Sequence, residues 1–168
     1  MVGLPGSGKT TLSRALTARG FERLCPDEEM FRRHGVYGRD FPRGAFPTLE
    51  RPVLEDTAME LRNHLEAGRN VVVDHGFWTP AERAKWRSLV VAAGASPLLV
   101  YLAASHEELW KRISRRNALH AQDPNAIFFS ESDLQRYRKR FVPPDKDEQH
   151  VVYDGDPASI IKTLTNRL

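Results

Sequence analysis

The chain is predicted to form an α/β fold with a mainly parallel sheet, and three features of the sequence support this. Short apolar runs alternate with amphipathic stretches from end to end. A glycine-rich turn joins the first apolar residues to the first amphipathic stretch. Helix-opening signals of the form Ser/Thr-x-x-Glu stand at Thr79 and Ser105. The length of 168 residues and the hydrophobic content of 40% fit one domain that covers 1–168.

The first half of the chain divides into elements at its glycines, prolines and acidic residues. Helical spacing predicts a helix at about 10–19, and a short strand follows at 22–25. Asp27 opens a short helix that ends before the next glycine. Residues 35–48 are rich in Gly, Pro, Arg and aromatic residues, and a loop of this length in a compact domain is usually functional. A long helix with an apolar face follows at about 49–66.

The second half of the chain repeats the alternation of strands and helices. Residues 70–74 are apolar between their two ends, which is typical of a strand buried on both faces. Proline at the first helical position and a capping box mark the helix after Thr79. The remaining predicted elements are, in order, a strand at 97–102, a helix from Ser105 to about Arg116, a loop at 117–129, a helix at 130–140, a strand at 151–153 and a helix after Asp156.

The composition narrows the classes of function. The net charge of +3, from 25 basic and 22 acidic residues, is too small to indicate nucleic-acid binding by itself. No run approaches the roughly 18 apolar residues of a membrane span, and no secretory signal is present. The single cysteine, Cys25, cannot form an internal disulfide, so we expect a cytoplasmic protein in a reducing compartment. The spacing of cysteine and histidine does not match a zinc site.

Residues 3–10 read Gly-Leu-Pro-Gly-Ser-Gly-Lys-Thr, which matches the phosphate-binding loop pattern G-x-x-x-x-G-K-[ST]. Glycines at these positions let consecutive backbone N–H groups point at one centre. Lys9 supplies a positive charge for the β- and γ-phosphates, and the hydroxyl of Thr10 is suited to hold Mg²⁺. The alternative is a glycine-rich turn that fits the pattern by chance. The predicted nucleotide-binding residues are Gly3, Pro5, Gly6, Ser7, Gly8, Lys9, Thr10 and Thr11.

Only Met1 and Val2 precede this loop. The strand before such a loop ordinarily needs about five apolar residues. We therefore expect either a very short first strand or relatives that begin several residues earlier.

Two carboxylates stand at the ends of predicted strands, where ligands gather in parallel α/β sheets. Asp74 ends an apolar strand, as an acidic residue that holds Mg²⁺ does, although a turn residue is the alternative. Asp27 follows the second strand, where a carboxylate can take the proton of an acceptor hydroxyl, although aspartate is also a frequent N-cap. His75 stands where ATP-hydrolysing enzymes commonly carry glutamate, and this favours transfer of phosphate to another molecule.

Three arginines lie on the inward faces of predicted helices. Arg83 precedes Trp86 by three residues, and Arg116 comes seven residues after Leu109, about 20° away around the helix. Arg112 flanks the same face as Arg116. A charge turned towards the core needs a partner, and we predict that this partner is phosphate. Snorkelling to the surface or pairing with Asp or Glu is the alternative.

A candidate acceptor pocket follows the strand at 70–74. His75, Phe77 and Trp78 come directly after this strand and either line the pocket or plug the core. The loop at 35–48 is predicted to help select the acceptor. Four nearby basic residues either attract an anionic acceptor or are ordinary exposed charges: Arg32, Arg33, His34 and Arg39.

Five segments of the chain carry a resemblance to a known family: Gly3 to Thr11, Asp27, residues 70–78 with Arg83, residues 107–117 and residues 141–148. On these residues the sequence resembles the P-loop kinase group that contains polynucleotide kinase, zeta toxins, chloramphenicol phosphotransferase and gluconate kinase. It is most similar to the small AAA-type ATP-binding proteins of that group. The resemblance covers nearly the whole chain. Its loop motif is highly specific to nucleotide binding, and the other motifs are moderately specific to kinases.

The resemblance implies a three-layer P-loop NTPase fold, in which a five-stranded parallel sheet of order 2-3-1-4-5 carries helices on both faces. It also implies ATP and Mg²⁺ as ligands and Asp27 as the catalytic base. Arg112 and Arg116 would lie on a lid near 112–130, over the phosphates. Polynucleotide kinase typically carries an arginine three positions after its base, where this chain has Met30, and this difference disfavours a nucleic-acid acceptor.

We therefore predict an ATP-dependent kinase that transfers the γ-phosphate to a hydroxyl of a small molecule or nucleotide. The alternatives are a polynucleotide 5′-hydroxyl kinase and a nucleotide-binding module without transferase activity. The predicted catalytic residues are Lys9, Asp27, Arg112 and Arg116. The predicted substrate residues are Asp27, His75, Phe77 and Arg83. The predicted metal ligands are Thr10 and Asp74, and Arg112 is also expected to bind the nucleotide.

Overall fold

The computed structural model of the chain describes residues 1–118 and 128–165. Helices and strands alternate along both ranges, as expected for an α/β fold. The helices are α1 (Lys9–Thr17), α2 (Pro26–His34), α3 (Phe46–Glu66), α4 (Pro80–Ala92), α5 (His106–Ala118), α6 (Glu131–Arg140) and α7 (Pro157–Thr165). The strands are β1 (Glu22–Leu24), β2 (Val71–Val73), β3 (Val100–Tyr101) and β4 (Val151–Val152).

The strands form two parallel pairs, and the first residues of the chain hydrogen-bond to both. β1 pairs with β2, and β3 pairs with β4. The Val2 N–H donates to the Val100 oxygen at 2.7 Å, and Val2 forms a parallel bridge with Tyr101. The Gly3 N–H donates to the Gly76 oxygen, beyond the end of β2, at 3.3 Å. The α/β fold class is confirmed, whereas the five-stranded order stays a prediction because the sheet consists of short separate pairs.

Helices cover both faces of these strands. Leu12 of α1 and Ile160 of α7 pack with Met1, Val72 and Val100 in one buried cluster. A second buried cluster joins α3 and α4 to the opposite face through the side chains of Val2, Leu24, Leu61 and Trp86. Met1 and Val2 face different clusters because successive side chains of an extended segment point to opposite sides. A third cluster, at the end of the strands, joins α5 to α6.

Several predicted elements are present with shifted ends. The long helix α3 begins at Phe46 because Pro47 fits its first turn, where an N–H group is not needed. The loop predicted at 35–48 is shorter in consequence, and it contains a 3₁₀ turn at Arg43–Ala45. The strand predicted at 97–102 is reduced to the two residues of β3.

The predicted capping boxes open α4 and α5. The Glu82 N–H donates to Thr79 Oγ1 at 3.2 Å, and the Glu82 carboxylate accepts from the Thr79 N–H at 2.9 Å. Ser105 and Glu108 exchange the same two kinds of hydrogen bond. These reciprocal bonds satisfy N–H groups that would otherwise lack partners at a helix start.

The predicted lid near 112–130 lies partly outside the described residues, which exclude 119–127. Its described parts are the end of α5 and the segment before α6. In the ranges that the structure describes, no helix is both long and apolar enough to cross a membrane.

Candidate active site

The glycine-rich loop leads into the N-terminus of α1. Gly6 (φ 82°) and Gly8 (φ 101°) adopt left-handed backbone conformations that residues with side chains disfavour. A Cβ atom at Gly6 would also lie 3.0 Å from the Leu109 carbonyl oxygen. Gly8 is the N-cap of α1. The loop therefore ends where unpaired backbone N–H groups and the helix dipole attract anions.

Lys9 is folded back over this loop. Its Nζ donates to the carbonyl oxygens of Gly3 and Leu4, both at 3.0 Å. Burial lowers the pKa of Lys9, while the charges of Asp27 and Asp74 oppose that shift. An anion bound beside Lys9 would stabilise its charged form, so the loop and its lysine fit a phosphate group.

The two predicted metal ligands border the same cleft. Thr10 is exposed on the first turn of α1, and Asp74 is buried directly after β2. Asp74 Oδ2 accepts from Ser13 Oγ at 2.8 Å and from Arg23 Nη2 at 2.6 Å. No described residue donates to the other carboxylate oxygen, Oδ1. This oxygen and the Thr10 hydroxyl are the hard ligands that a hydrated Mg²⁺ prefers.

Ser13 and Arg23 are contacts of Asp74 that the sequence did not reveal. Arg23 reaches Asp74 only because β1 lies beside β2, where Arg23 is in register with Val72. The same guanidinium also pairs with Glu28 at 2.8 Å. Arg23 therefore ties the end of β2 to the first turn of α2.

Asp27 borders the same cleft, in the first turn of α2. It is exposed, and its charge opposes the downward shift in the pKa of Lys9, so the two groups lie within electrostatic reach. The N-cap of α2 is Cys25, and no side chain caps this helix. The N-cap alternative for Asp27 is therefore wrong.

Asp27, Glu50 and His75 form a cluster beside Lys9 that we call the cleft floor. Their carboxylate oxygens and one imidazole nitrogen lie within 4.8 Å of one another. Burial, with the charges of Asp27 and Glu82, raises the pKa of Glu50 to about 7. Burial lowers the pKa of His75. Glu50 was missed in the sequence because it follows a loop and begins a long amphipathic helix, where a glutamate is ordinary.

Arg83 does not join the cleft residues within the described part of the chain. Its guanidinium is buried and makes two hydrogen bonds of 2.7 Å to the Glu148 carboxylate. It also donates to the Val142 carbonyl oxygen at 2.9 Å. The predicted substrate contact is thus corrected to the alternative, a pair with a carboxylate. Helical phase correctly placed Arg83 inward but did not identify its partner.

Arg112 and Arg116, on α5, both border the cleft. Arg112 is exposed and donates to the Gly6 carbonyl oxygen at 3.3 Å, so it lies next to the phosphate loop. The Arg116 guanidinium lies 5.4 Å from the centre of the Phe129 ring. Both positions are compatible with the predicted contact to phosphates.

The residues after β2 divide between the cleft and the core. Phe77 packs against Trp86 with ring centres 5.3 Å apart, and it is buried, although part of it borders the cleft. Its φ of 35° is unusual for an aromatic residue and marks local strain. Trp78 lies against Tyr137 of α6, with ring centres 4.8 Å apart. His75 and Trp78 thus face the cleft, while Phe77 mainly fills the core.

The segment at 35–48, which is predicted to help select the acceptor, supplies cleft residues, and α6 supplies others that the sequence did not reveal. Tyr37, Arg43 and Phe46 border the cleft from this segment. The basic residues Arg32 and Arg39 pair with Glu29 and Asp40 instead. The whole cleft has a volume of about 950 Å³. The α6 residues that border it are Arg136, Tyr137 and Arg140.

The sequence matches the model of an AAA domain family, AAA_33, over residues 1–144. The chain belongs to this family. The AAA domain also resembles solved structures at low sequence identity, and these show the fold alone. No curated protein matches it.

Three of these solved structures have P-loop kinase-like folds. A protein described as a candidate kinase from Chloroflexus aurantiacus is 23% identical, with a TM-score of 0.72 and coverage of 99% of this chain and 95% of that one. Kti12 from Chaetomium thermophilum, in complex with ADP-AlF3, is 14% identical, with a TM-score of 0.65 and coverage of 98% and 95%. Shikimate kinase from Acinetobacter baumannii, in complex with shikimate, is 20% identical, with a TM-score of 0.54 and coverage of 99% and 91%. The AAA domain therefore has the fold of a P-loop kinase.

Proposed function

We propose that the AAA domain is an ATP-dependent kinase that transfers the γ-phosphate of ATP to a hydroxyl of a small molecule or nucleotide. One observation carries the proposal. Lys9, at the end of the glycine-rich loop, and Asp27, in the first turn of α2, border one cleft and lie within electrostatic reach of each other. A cation for the γ-phosphate and a carboxylate for an acceptor hydroxyl are the two groups that phosphoryl transfer to an alcohol needs.

The proposed nucleotide site consists of the loop from Gly3 to Thr11, together with Arg112 and Arg116. Backbone N–H groups of the loop would bind the phosphates, and Lys9 would contact the β- and γ-phosphate oxygens. Thr10 and Asp74 would hold Mg²⁺, which neutralises part of the phosphate charge when it is bound.

In the proposed reaction, the acceptor oxygen attacks the γ-phosphorus while Asp27 takes the hydroxyl proton. The bond from the γ-phosphorus to the bridging oxygen breaks, and ADP leaves. Lys9 and the loop N–H groups stabilise the charge that develops on the phosphate oxygens. Glu50, with its pKa of about 7, is protonated part of the time at neutral pH. Glu50 lies beside Asp27 in the cleft floor, so its protonation changes the charge next to the proposed base.

The proposed sheet of a single kinase-like domain has five strands, and residues 1–3 count as the first of them. The order 2-3-1-4-5 then reads β1, β2, residues 1–3, β3 and β4, with residues 1–3 in the centre. Hydrogen bonds from this segment to Val100 on one side and to Gly76 on the other support this order. The proposed order brings the ends of β1, β2 and the first segment to one edge, where Asp27, Asp74 and the phosphate loop follow.

A polynucleotide 5′-hydroxyl kinase is the second candidate, and the arginines of α6 at the cleft favour it. Such an enzyme would bind oligonucleotides with an affinity that falls steeply with salt. A nucleotide-binding module without transferase activity is the third candidate. Such a module would bind ATP, and the addition of a hydroxyl compound would not change the rate of ATP consumption.

The proposal is tested by incubating the protein with Mg²⁺, ATP labelled at the γ-phosphate, and separate pools of hydroxyl metabolites and 5′-hydroxyl oligonucleotides. We expect the label in one class of small metabolite, read by mass spectrometry. Label only in the oligonucleotide would establish the second candidate. Label only in inorganic phosphate, or none released at all, would refute transfer to an acceptor.

A further inference from the structure

We infer that the acceptor is a small hydroxyl compound that also carries an anionic group, either a carboxylate or a phosphate. This group binds to Arg43, Arg136 and Arg140, which we call the cleft arginines. The inference rests on the proposed kinase function, because it names the class of acceptor for the same cleft. It is carried by the charges that border the cleft, by their incomplete neutralisation and by the rings that support them.

The cleft arginines come from the segment before α3 and from α6, and they border the cleft together with the carboxylates of the floor. Arg140 is within electrostatic reach of Glu50, because its charge opposes the upward shift in the pKa of Glu50. A molecule bound here therefore meets carboxylates beside Lys9 and guanidinium groups on its other side. A hydroxyl suits the first environment, and an anion suits the second.

The cleft arginines are only partly neutralised by the residues that the structure describes. Arg43 Nη1 lies 3.4 Å from Asp133 Oδ1, and Arg136 donates to the same oxygen. Arg140 makes no ion pair with a described carboxylate. Two guanidinium groups thus share the carboxylate of Asp133, which itself accepts a hydrogen bond from Ser130 at the start of α6, and the third pairs with none of the described carboxylates. The positive charge of the cleft arginines thus exceeds the negative charge of Asp133, and an anionic ligand can neutralise the excess.

Apart from the two carboxylates of the cleft floor, three other carboxylates at the cleft have partners of their own. Glu28 and Asp74 both pair with Arg23. Glu82 is occupied in the capping box of α4. These three carboxylates therefore do not cancel the charge of the cleft arginines, and the protonation of Glu50 near neutral pH weakens its own contribution.

An aromatic ring supports each of the cleft arginines. The Cζ atom of Arg43 lies 5.6 Å from the Tyr37 ring centre. The same distance is 5.6 Å from Arg136 to Tyr137 and 5.9 Å from Arg140 to Trp78. Stacking restrains a guanidinium while leaving its N–H edge available, and that edge matches two oxygens of a carboxylate or phosphate. The cleft volume of about 950 Å³ must also hold the nucleotide, so the acceptor is small.

The test measures binding to protein saturated with Mg²⁺ and a non-hydrolysable ATP analogue, so that the phosphate loop is already filled. Two matched sets of probes are titrated by calorimetry at constant ionic strength. The first set is glycerol, glycerate and glycerol 3-phosphate, and the second is glucose, gluconate and glucose 6-phosphate. We expect the anionic members of at least one set to bind at least tenfold more tightly than its neutral member. The carboxylate and phosphate members distinguish the two kinds of anion.

Three variants identify the residues responsible. Arg136→Ala and Arg140→Ala should each weaken binding of the anionic probes about tenfold and leave binding of the ATP analogue unchanged. Arg138→Ala removes an exposed charge from the same helix outside the cleft residues, and it should have no effect. Circular dichroism checks that each variant is folded.

The inference is wrong if neutral and anionic probes bind equally, if both cleft variants keep the preference, or if no probe binds to the nucleotide-loaded protein. It is also wrong if a 5′-hydroxyl oligonucleotide binds more tightly than every probe through the same arginines. The proposed function fails separately. If a probe binds through Arg140 but never increases ADP release in the presence of ATP, the anion site is supported and the proposed kinase activity is refuted.

Discussion

The two ends of the cleft are built in different ways. At the phosphate end, the ligand groups are mainly backbone N–H groups on a loop whose path requires glycine at positions 6 and 8. At the acceptor end, the ligand groups are side chains from α2, α3, the segment after β2 and α6. The first end is formed by consecutive residues. The second exists only when distant segments pack together.

This difference teaches where chemistry and selectivity would reside in the proposed kinase. In the proposed kinase, a change at the phosphate end removes a contact that transfer to any acceptor needs. A change among the exposed side chains of the acceptor end alters which molecule is bound, because those side chains contribute little to the core. The following predictions test this division, beginning with the largest expected effect.

Lys9→Met tests the phosphate end. We expect turnover to fall about 10³-fold for every acceptor, because the variant removes the charge that stabilises the transferring phosphate. ADP release at saturating ATP is the measurement. Lys85→Met, which removes an exposed lysine of α4, is the matched control and should retain full activity. A Lys9→Met variant with more than a tenth of the activity would contradict the proposed site.

Asp27→Asn tests the proposed catalytic base, which lies between the two ends of the cleft. We expect kcat to fall about 10²-fold, because asparagine cannot take the acceptor proton, while ATP affinity stays within about threefold. Steady-state kinetics and calorimetry separate these two quantities. Glu29→Gln, in the same helix and outside the cleft residues, is the control. A similar loss of activity in the control would mean that the charge of α2, rather than Asp27 itself, matters.

Arg83→Met tests whether Arg83, which points inward but lies outside the cleft, has a structural role only. We expect the free energy of unfolding to fall by about 3 kcal/mol, because the variant leaves the carboxylate of Glu148 without its partner. The KM for ATP should not change. Urea denaturation and kinetics provide the two measurements. If stability is unchanged and KM rises, Arg83 contacts a substrate as the sequence predicted.

The positions of the cleft residues show how much of the site can be predicted from the sequence. The glycine-rich loop that leads into α1 at the cleft was predictable because its residues are consecutive, each with a distinct chemical requirement. Asp27 and Asp74 were predictable because strand ends meet at one edge of a parallel sheet. Arg140 and Glu50 were not, since a charge on an amphipathic helix is ordinarily solvated and nothing local marks it as part of a cleft.

Arg83 illustrates an intermediate case. Its helical phase predicted burial, and burial predicted an anionic partner. The partner is Glu148, 65 residues away in a segment without helix or strand. Periodicity indicates the side of a helix that is buried, but the identity of a tertiary contact depends on how the remaining elements pack.

Glu50→Gln gives the smallest expected effect, and it concerns the electrostatics of the cleft floor. The pKa of Glu50 in the folded protein, about 7, exceeds its ordinary value of 4.5, so the folded state binds this proton more tightly than the unfolded state. Wild-type stability should therefore rise relative to the variant as pH falls from 8 to 5. We expect about 1 kcal/mol, because solvent partly screens the group. Parallel pH profiles would disprove the raised pKa.

The most direct test of the account is a crystal structure of the AAA domain with Mg²⁺ and a non-hydrolysable ATP analogue. The account predicts the triphosphate on the loop from Gly3 to Thr11, with Lys9 at the γ-phosphate. It also predicts the Asp27 carboxylate facing that phosphate across a gap that accommodates an acceptor hydroxyl. A triphosphate bound elsewhere, or an Asp27 side chain turned away from the γ-phosphate, would contradict it.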